Sequence, residues 1–244
     1  MTAVLRTGWV LANLVWATLF FASVVFVAAL LGHRGGCYDW VARGWTGVLL
    51  WASGTPVRVE GLEHVSGGEG RVVLPAHVSW YDVLAIANVM PVPSRFVAKK
   101  ELAKIPIFGQ AWRAAGHIEI DRSDRQAAID SLNRAGRRLH DEGITVIIFP
   151  EGTRSRSGRL QRFKKGAFML AAEAGVPLVP AVVAGSYRVM RPGTWLIHPR
   201  PLTVRFGPPV SPGGTDPEEI DGVMKEVRSA LLRLGAGEEP REAH

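Results

Sequence analysis

Cysteine, tyrosine and acidic side chains are all scarce in this 244-residue chain, which has one Cys, three Tyr and 22 Asp plus Glu. Cys37 alone closes no internal disulfide and offers one ligand where a thiolate zinc site needs several. Redox staples and zinc fingers are therefore excluded, and a reducing compartment is favoured. Scattered His, Asp and Glu form no ligand cluster, so no metal is expected. Internal repeats and low-complexity tracts are also missing, which leaves one large domain or two small ones. Against the 22 acids stand 29 Lys plus Arg, a net charge of +7, and such an excess points to nucleic acid, a phosphorylated substrate or a lipid surface. Charged residues make up 21% and apolar ones 47%, with mean hydropathy +0.11, too apolar for a disordered chain and enough to expect contact with lipid.

Tryptophan helps to separate these partners. Five of the eight (Trp9, Trp16, Trp40, Trp45, Trp51) fall in the first 51 residues, apart from most of the basic side chains, whereas a base-stacking surface interleaves the two. Aromatics flanking an apolar segment form an interface belt instead, so nucleic acid is set aside in favour of a membrane surface. Between Arg6 and His33 lie 26 uncharged residues, and a helix of that length reaches roughly 39 Å against a hydrocarbon core of roughly 30 Å. The run is too long for a signal peptide and too apolar all round for an ordinary buried helix. After the polar break GHRGGCYDW, the stretch VARGWTGVLLWASG predicts a second, shorter helix. Residues 1–54 therefore read as a helical hairpin on or in the membrane. Arg6, Arg34 and Arg43 give too weak a bias to decide between crossing and re-entry.

From residue 55 the pattern becomes short β-branched runs alternating with amphipathic stretches, as in an α/β domain spanning 55–234. The runs VRVE (57–60), RVVLP (71–75), RFVA (95–98), HIEID (117–121), ITVIIF (144–149), LVPAVV (178–183) and LTVRF (202–206) predict strands. Ser123 is the expected cap of a helix carrying Ile129, Leu132, Ala135 and Leu139 at helical spacing, with Gly143 as its left-handed stop. GAFMLAAEAG predicts another helix and residues 217–234 a closing one, so the sheet is at least partly parallel and covered by helices. Residues 235–244 read as a flexible tail.

Parallel sheets carry their chemistry at the C-terminal ends of strands. After RVVLPA comes HVSWYD: His77 in the turn and Asp82 in the first helical turn can meet, the carboxylate fixing the imidazole tautomer and leaving the other nitrogen as a base. Ser79 to Asp82 also fits a capping box, in which Asp82 merely satisfies a backbone amide. After TVIIFP comes EGTRS, where Gly152 permits close backbone approach and Arg154 offers a planar donor fork for phosphate oxygens. Lys164 and Lys165 stand at the start of a helix, a position that opposes the macrodipole unless an anion binds there. A third strand end supplies Asp121 and Arg122, where the arginine can reach the same anion or the two can form a structural bridge at the entry to a helix.

Four ordered blocks, HVSWYD (77–82), GHIEIDR (116–122), FPEGTRS (149–155) and LVPAVV (178–183), with VAKKELAKIPIFG (97–109) and FKKG (163–166), resemble the glycerolipid acyltransferases, in particular 1-acylglycerol-3-phosphate acyltransferases of the bacterial PlsC type. Ala76 stands where many members carry Asn. The resemblance implies a glycerol-3-phosphate acyltransferase-like fold: a mixed, mostly parallel central sheet flanked by helices, behind the hairpin. It implies acyl transfer from acyl-CoA or acyl carrier protein to the free hydroxyl of lysophosphatidic acid, with His77 as general base oriented by Asp82. Glu151, Gly152, Thr153 and Arg154, with Arg122, would hold the acceptor phosphate, and Lys99, Lys100, Lys164 and Lys165 would attract phosphate or the donor's anionic carrier. Ser79 is the rival nucleophile, disfavoured because direct transfer needs no acyl-enzyme. No cofactor beyond the donor is required. The lipid acceptor places the protein at the cell membrane and the soluble donor places the catalytic face in the cytosol. Two readings compete: the same chemistry on another lyso-lipid, such as a lysophospholipid or lyso-ornithine lipid, and a non-catalytic membrane protein that binds anionic lipid.

Overall fold

Runs of Val, Ile and Leu too short for helices, punctuated by glycine, pair into a single seven-stranded sheet in the computed structural model, which describes residues 2–32, 36–121 and 124–237. The strands are β1 (Val57–Glu60), β2 (Arg71–Pro75), β3 (Ser94–Lys99), β4 (Ile118–Ile120), β5 (Thr145–Ile147), β6 (Leu178–Ala184) and β7 (Leu202–Phe206). Their order is β1-β7-β6-β2-β5-β3-β4. Every neighbouring pair is parallel except β6 and β7, so β2 to β6 run one way and β1 and β7 the other. The α/β class and the mixed, mostly parallel sheet match the sequence expectation. The C-terminal ends of β2, β3, β4, β5 and β6 consequently share one edge, with β2 flanked there by β5 and β6.

Eight helices surround the sheet among the described residues: α1 (Ala3–Leu30), α2 (Gly36–Ser53), α3 (Trp80–Val89), α4 (Phe108–Ala114), α5 (Arg125–Glu142), α6 (Gly166–Ala174), α7 (Ser186–Val189) and α8 (Pro217–Arg233). On one face α5, α6 and α8 bury Ala135, Leu139, Phe168, Leu170, Val227 and Leu231 against β2, β5 and β6. Each large side chain buried in this layer contributes roughly 1.5 to 3 kcal/mol to holding the parallel block together. Gly143 ends α5 with φ 60°, and its missing Cβ would sit 2.4 Å from the Gly68 carbonyl oxygen, so no other residue fits. Asp124 caps α5, accepting from the Ala127 amide; Ser123, expected in that role, lies outside the described residues, as do the Ile129 side chain, Arg34 and residues 238–244 of the expected tail. On the other face α3 packs Tyr81, Ala85 and Ile86 onto β2, β6 and β7.

The hairpin helices join this second face. Val10 of α1 and Leu50 and Ala52 of α2 belong to the same apolar cluster as α3, while Ala17, Phe21 and Val25 pack against Tyr38 and Val41. A partly buried ion pair, Arg95 to Asp39 at 2.7 Å, ties β3 to the first turn of α2, and the Ile197 amide donates to Thr7 Oγ1 at 3.1 Å. The opposite side of α1 is bare. Its best window has mean hydropathy 2.2, long and apolar enough to cross a membrane, yet only 28% of it is buried. Trp9, Val15, Trp16, Leu19, Phe20 and Phe26 are all exposed.

Candidate active site

β2 is buried along its whole length, and the chain leaves it at Ala76 to enter α3 through a four-residue turn that carries His77. The turn brings the two residues singled out from HVSWYD together: His77 Nδ1 lies 3.0 Å from Asp82 Oδ2. The same oxygen accepts the Val78 amide at 2.7 Å and the Ser79 amide at 2.8 Å, and the other carboxylate oxygen accepts the Ser186 hydroxyl. The capping box and the histidine partnership are therefore one arrangement rather than alternatives, because Asp82 at the third helical position is both the box carboxylate and the imidazole's acceptor. A carboxylate only accepts, so Nδ1 carries the proton and Nε2 presents a lone pair. The imidazole is held from its face by Phe149, with ring centroids 3.9 Å apart and planes 28° apart. Asp82 is shut off from solvent at 1% side-chain exposure, while His77 keeps 13%, enough to meet a substrate from the open side.

Ser79 is fully buried, its hydroxyl donating to the Met190 carbonyl at 2.8 Å and accepting the Tyr81 amide. That double engagement leaves it no path to act as a nucleophile. Ser186 was not anticipated from the sequence. It follows β6 after Gly185, whose φ of 93° turns the chain back over β2, and it reaches Asp82 from 104 residues away.

The EGTR loop leaves β5 beside this turn. Glu151, expected among the phosphate-holding groups, does something else: one oxygen accepts the His77 amide at 2.7 Å and the other the Gln161 amide at 2.8 Å. Burial raises its pKa, partly offset by those two amides, and a carboxylate would in any case repel phosphate. It clamps the loop to the histidine's backbone, a junction closed on the other side by the Ser155 amide donating to the His77 carbonyl at 2.8 Å. Gly152 has φ 72°, and Lys164 Cε lies 3.0 Å from where a Cβ would be, so the lysine stem lies across the glycine. Thr153 is exposed, and its carbonyl accepts from Gln161. The Arg154 guanidinium sits 4.5 Å from the Trp80 ring centroid, directly above the start of α3. Burial lowers its pKa, and the charge of Asp82 works against that shift, which places the cation within electrostatic reach of the pair.

The remaining basic candidates divide. Lys164 lies against the loop, but Lys165 turns to Asp221 of α8 at 2.7 Å, and Lys100 pairs with Asp121. Lys99 is exposed at the end of β3, two strands from β2 and hence roughly 10 Å away across the sheet. Arg122 lies outside the described residues. Among the described residues, no group of three or more His, Cys, Asp or Glu side chains is placed to hold a metal ion.

The acyltransferase family model matches residues 56–184, the span that contains every group just described apart from Gly185, Ser186, Met190 and Asp221. The chain is 36% identical over 195 residues to a 1-acyl-sn-glycerol-3-phosphate acyltransferase of Limnanthes douglasii, covering 80% of this chain and 69% of that one. It is 33% identical over 211 residues to the protein of the same name from Pseudomonas aeruginosa, covering 84% and 79%. The crystal structure of the 1-acyl-sn-glycerophosphate acyltransferase PlsC from Thermotoga maritima superposes with a TM-score of 0.79 at 27% identity, covering 97% of this chain and 98% of that one.

Proposed function

The chain belongs to the acyltransferase family, and from that premise we propose that it transfers a fatty acyl group from a thioester donor to the free hydroxyl of lysophosphatidic acid, giving phosphatidic acid. The observation that carries this reading is the His77–Asp82 pair, 3.0 Å apart, set beside the cationic loop of Arg154. An alcohol is a poor nucleophile at neutral pH. His77 Nε2 takes its proton as the oxygen attacks the thioester carbonyl, and Asp82 stabilises the imidazolium that forms. The new C–O bond forms, the C–S bond breaks, and the departing thiolate takes the proton back from the imidazolium. Such base catalysis is worth about 10² to 10⁴ in rate, and a thioester asks for no more. No protein nucleophile is required. Arg154, with the Lys164 ammonium nearby, holds the acceptor's phosphate, each charge-assisted bond contributing roughly 1.5 to 3 kcal/mol. The acyl donor is acyl-CoA or an acyl carrier protein, with no further cofactor.

The acceptor and the product are lipids, and the bare side of α1 suits a membrane surface. Since α1 is fastened to the domain both near its start, at Thr7 and Val10, and further along, at Ala17 to Val25, it lies along the protein with one flank in the lipid. The domain then rests on the cytoplasmic face of the cell membrane, where a soluble donor arrives. Purified protein incubated with labelled acyl-CoA and a panel of lyso-lipids tests the reading. Phosphatidic acid formed from lysophosphatidate, and lost in His77→Ala with its melting temperature kept, is the expected result. Acylation of phosphate-free lyso-lipids alone would overturn the choice of acceptor, and undiminished turnover in His77→Ala would remove it as the base.

A further inference from the structure

A cleft of about 760 Å³ opens next to His77, within the range of roughly 300 to 1,000 Å³ usual for small-ligand sites, and its wall includes both chain neighbours of that residue, Ala76 and Val78. It runs from there past Ala184 and Gly185, at the end of β6, to Gly235 and Gly237 behind α8. Small residues dominate this wall and leave main-chain groups within reach of a ligand that carries amides of its own. The cleft is not simply apolar. Arg188 of α7 lines it, half-buried, and makes no ion pair among the described residues.

Further arginines gather at its mouth around Tyr187. The Tyr187 hydroxyl donates to the Arg156 carbonyl at 2.9 Å, the Arg191 guanidinium lies 5.6 Å from the Tyr187 ring centroid, and a Cβ at Gly237 would come 3.7 Å from Arg159 Cα. None of these arginines is paired with a carboxylate among the described residues, so the rim presents uncompensated positive charge to solvent. A hydrocarbon tail would draw nothing from such a rim. A ligand with an amide-bearing arm, a terminal thioester and phosphate at its other end matches the base, the small-residue walls and the cationic mouth in that order.

We propose that this cleft seats the phosphopantetheine arm of the acyl donor, its thioester at His77 and its phosphate among Arg188 and the arginines of the rim. The inference rests on the acyl-transfer reading and deepens it: the acceptor's phosphate lies at Arg154 beside Trp80, and the donor enters from the side of β6 and α7, so the two substrates meet at His77 without competing for one cation.

The test uses the full chain in detergent with two variants, Ala184→Phe, which fills the cleft, and Arg188→Ala, which removes its unpaired arginine, the other lining arginine, Arg205, being tied to Glu60. The KM for the acyl donor should rise at least tenfold in each, with the KM for lysophosphatidate unchanged within twofold. Equilibrium binding of desulfo-coenzyme A, measured without acceptor, should weaken in parallel. Running the assay with acyl-CoA and with acyl carrier protein separates the two sources of the arm, since an effect confined to one donor identifies the one this cleft serves. Unchanged donor KM with both donors, or a rise in the acceptor KM instead, overturns the proposal, and if Ala184→Phe does not fold the Arg188→Ala result decides. Should no lyso-lipid be acylated at all, the proposed function fails, while loss of desulfo-coenzyme A binding in the variants would still assign the cleft to this ligand.

Discussion

Replacing Asp82 by Asn separates the carboxylate's charge from its shape. The amide oxygen can keep the three N–H groups that Oδ2 now accepts, from His77, Val78 and Ser79, and the amide nitrogen would face Ser186 Oγ. That hydroxyl has an alternative acceptor in the Val183 carbonyl at 3.1 Å, so it can turn and accept. The second N–H of the buried amide finds no acceptor there, so the fold should lose about 2 kcal/mol, for that donor and for the carboxylate's interaction with the α3 N-terminus. A drop of about 4 to 8 °C in melting temperature corresponds to that. The imidazolium loses far more. A unit charge roughly 4 Å from the ring centre, at an effective dielectric near 20, stabilises it by about 4 kcal/mol, equivalent to about 10³ in rate. Turnover at saturating lysophosphatidate and donor should fall by about that factor while both KM values stay close to wild type. Turnover within tenfold of wild type, at an unchanged melting temperature, would refute the assignment of Asp82 as stabiliser of a charged imidazole. A collapse in melting temperature would instead make the capping box its main task.

Ser186→Ala removes one of the donors to Asp82 from a site with no solvent access, and losing a charge-assisted bond of about 1.5 to 3 kcal/mol should cut turnover about tenfold and lower the melting temperature; neither changing would show the contact to be idle. Arg154→Ala should raise the KM for a phosphate-bearing acceptor at least tenfold with turnover little altered. Arg154→Lys should rescue only part of this, because an ammonium does not stack on Trp80 as the planar guanidinium does, and full rescue would refute the geometric reading. Trp16→Glu with Phe20→Glu places charge on the bare side of α1, where the side chains are 55% and 49% exposed, and should release the protein from sedimenting vesicles without changing its melting temperature. His117 is held at a pKa of about 3 by desolvation, with repulsion from Arg95 and Arg138, and its Nδ1 accepts the Phe96 amide. The unfolded chain therefore takes up a proton near pH 6.5 that the folded one refuses, so stability is complete above that pH and declines as pH falls toward 3, by about 1.4 kcal/mol per unit. Urea titrations at pH 7 and pH 5 should show that loss as a lower midpoint in the native protein and not in His117→Asn; an equal fall of the midpoint in both would refute it.

What the sequence could reveal of the fold depended on how local the cause was. The bounds of β1, β2 and β7 and the end of α5 at Gly143 follow from β-branched runs and a left-handed glycine, and the structure places them at those positions. The reversal of β7 was not legible. The 17 residues from Gly185 to Pro201 could have carried a crossover helix, but α7 stops after four residues and the chain returns along the same edge, pairing Ala184 with Thr203. Likewise α2 starts at Gly36, five residues before its apolar pattern begins, because Asp39 in its first turn is anchored by Arg95 from β3. A contact 56 residues away extends a helix through GCYDW, a segment whose glycine would otherwise argue against it.

The same distinction runs through the site. His77 and Asp82 were legible because a five-residue interval and a capping pattern place both in one turn. Glu151 and Ser186 were not, although one sits inside a motif and the other three residues past a predicted strand. A motif reports which residue types travel together, and a carboxylate in a phosphate-like loop looks like a ligand until its two oxygens are seen taking the amides of His77 and Gln161. Ser186 needs two strands in register and a turn: β6 beside β2 with Pro75 opposite Ala181, and the Gly185 turn leading into α7. Positioning groups of this kind leave no local signature because their partners are fixed only when the sheet is assembled. It follows that substitutions along β6 which shift its register against β2 should lower turnover through Ser186 while the KM for the acceptor stays unchanged.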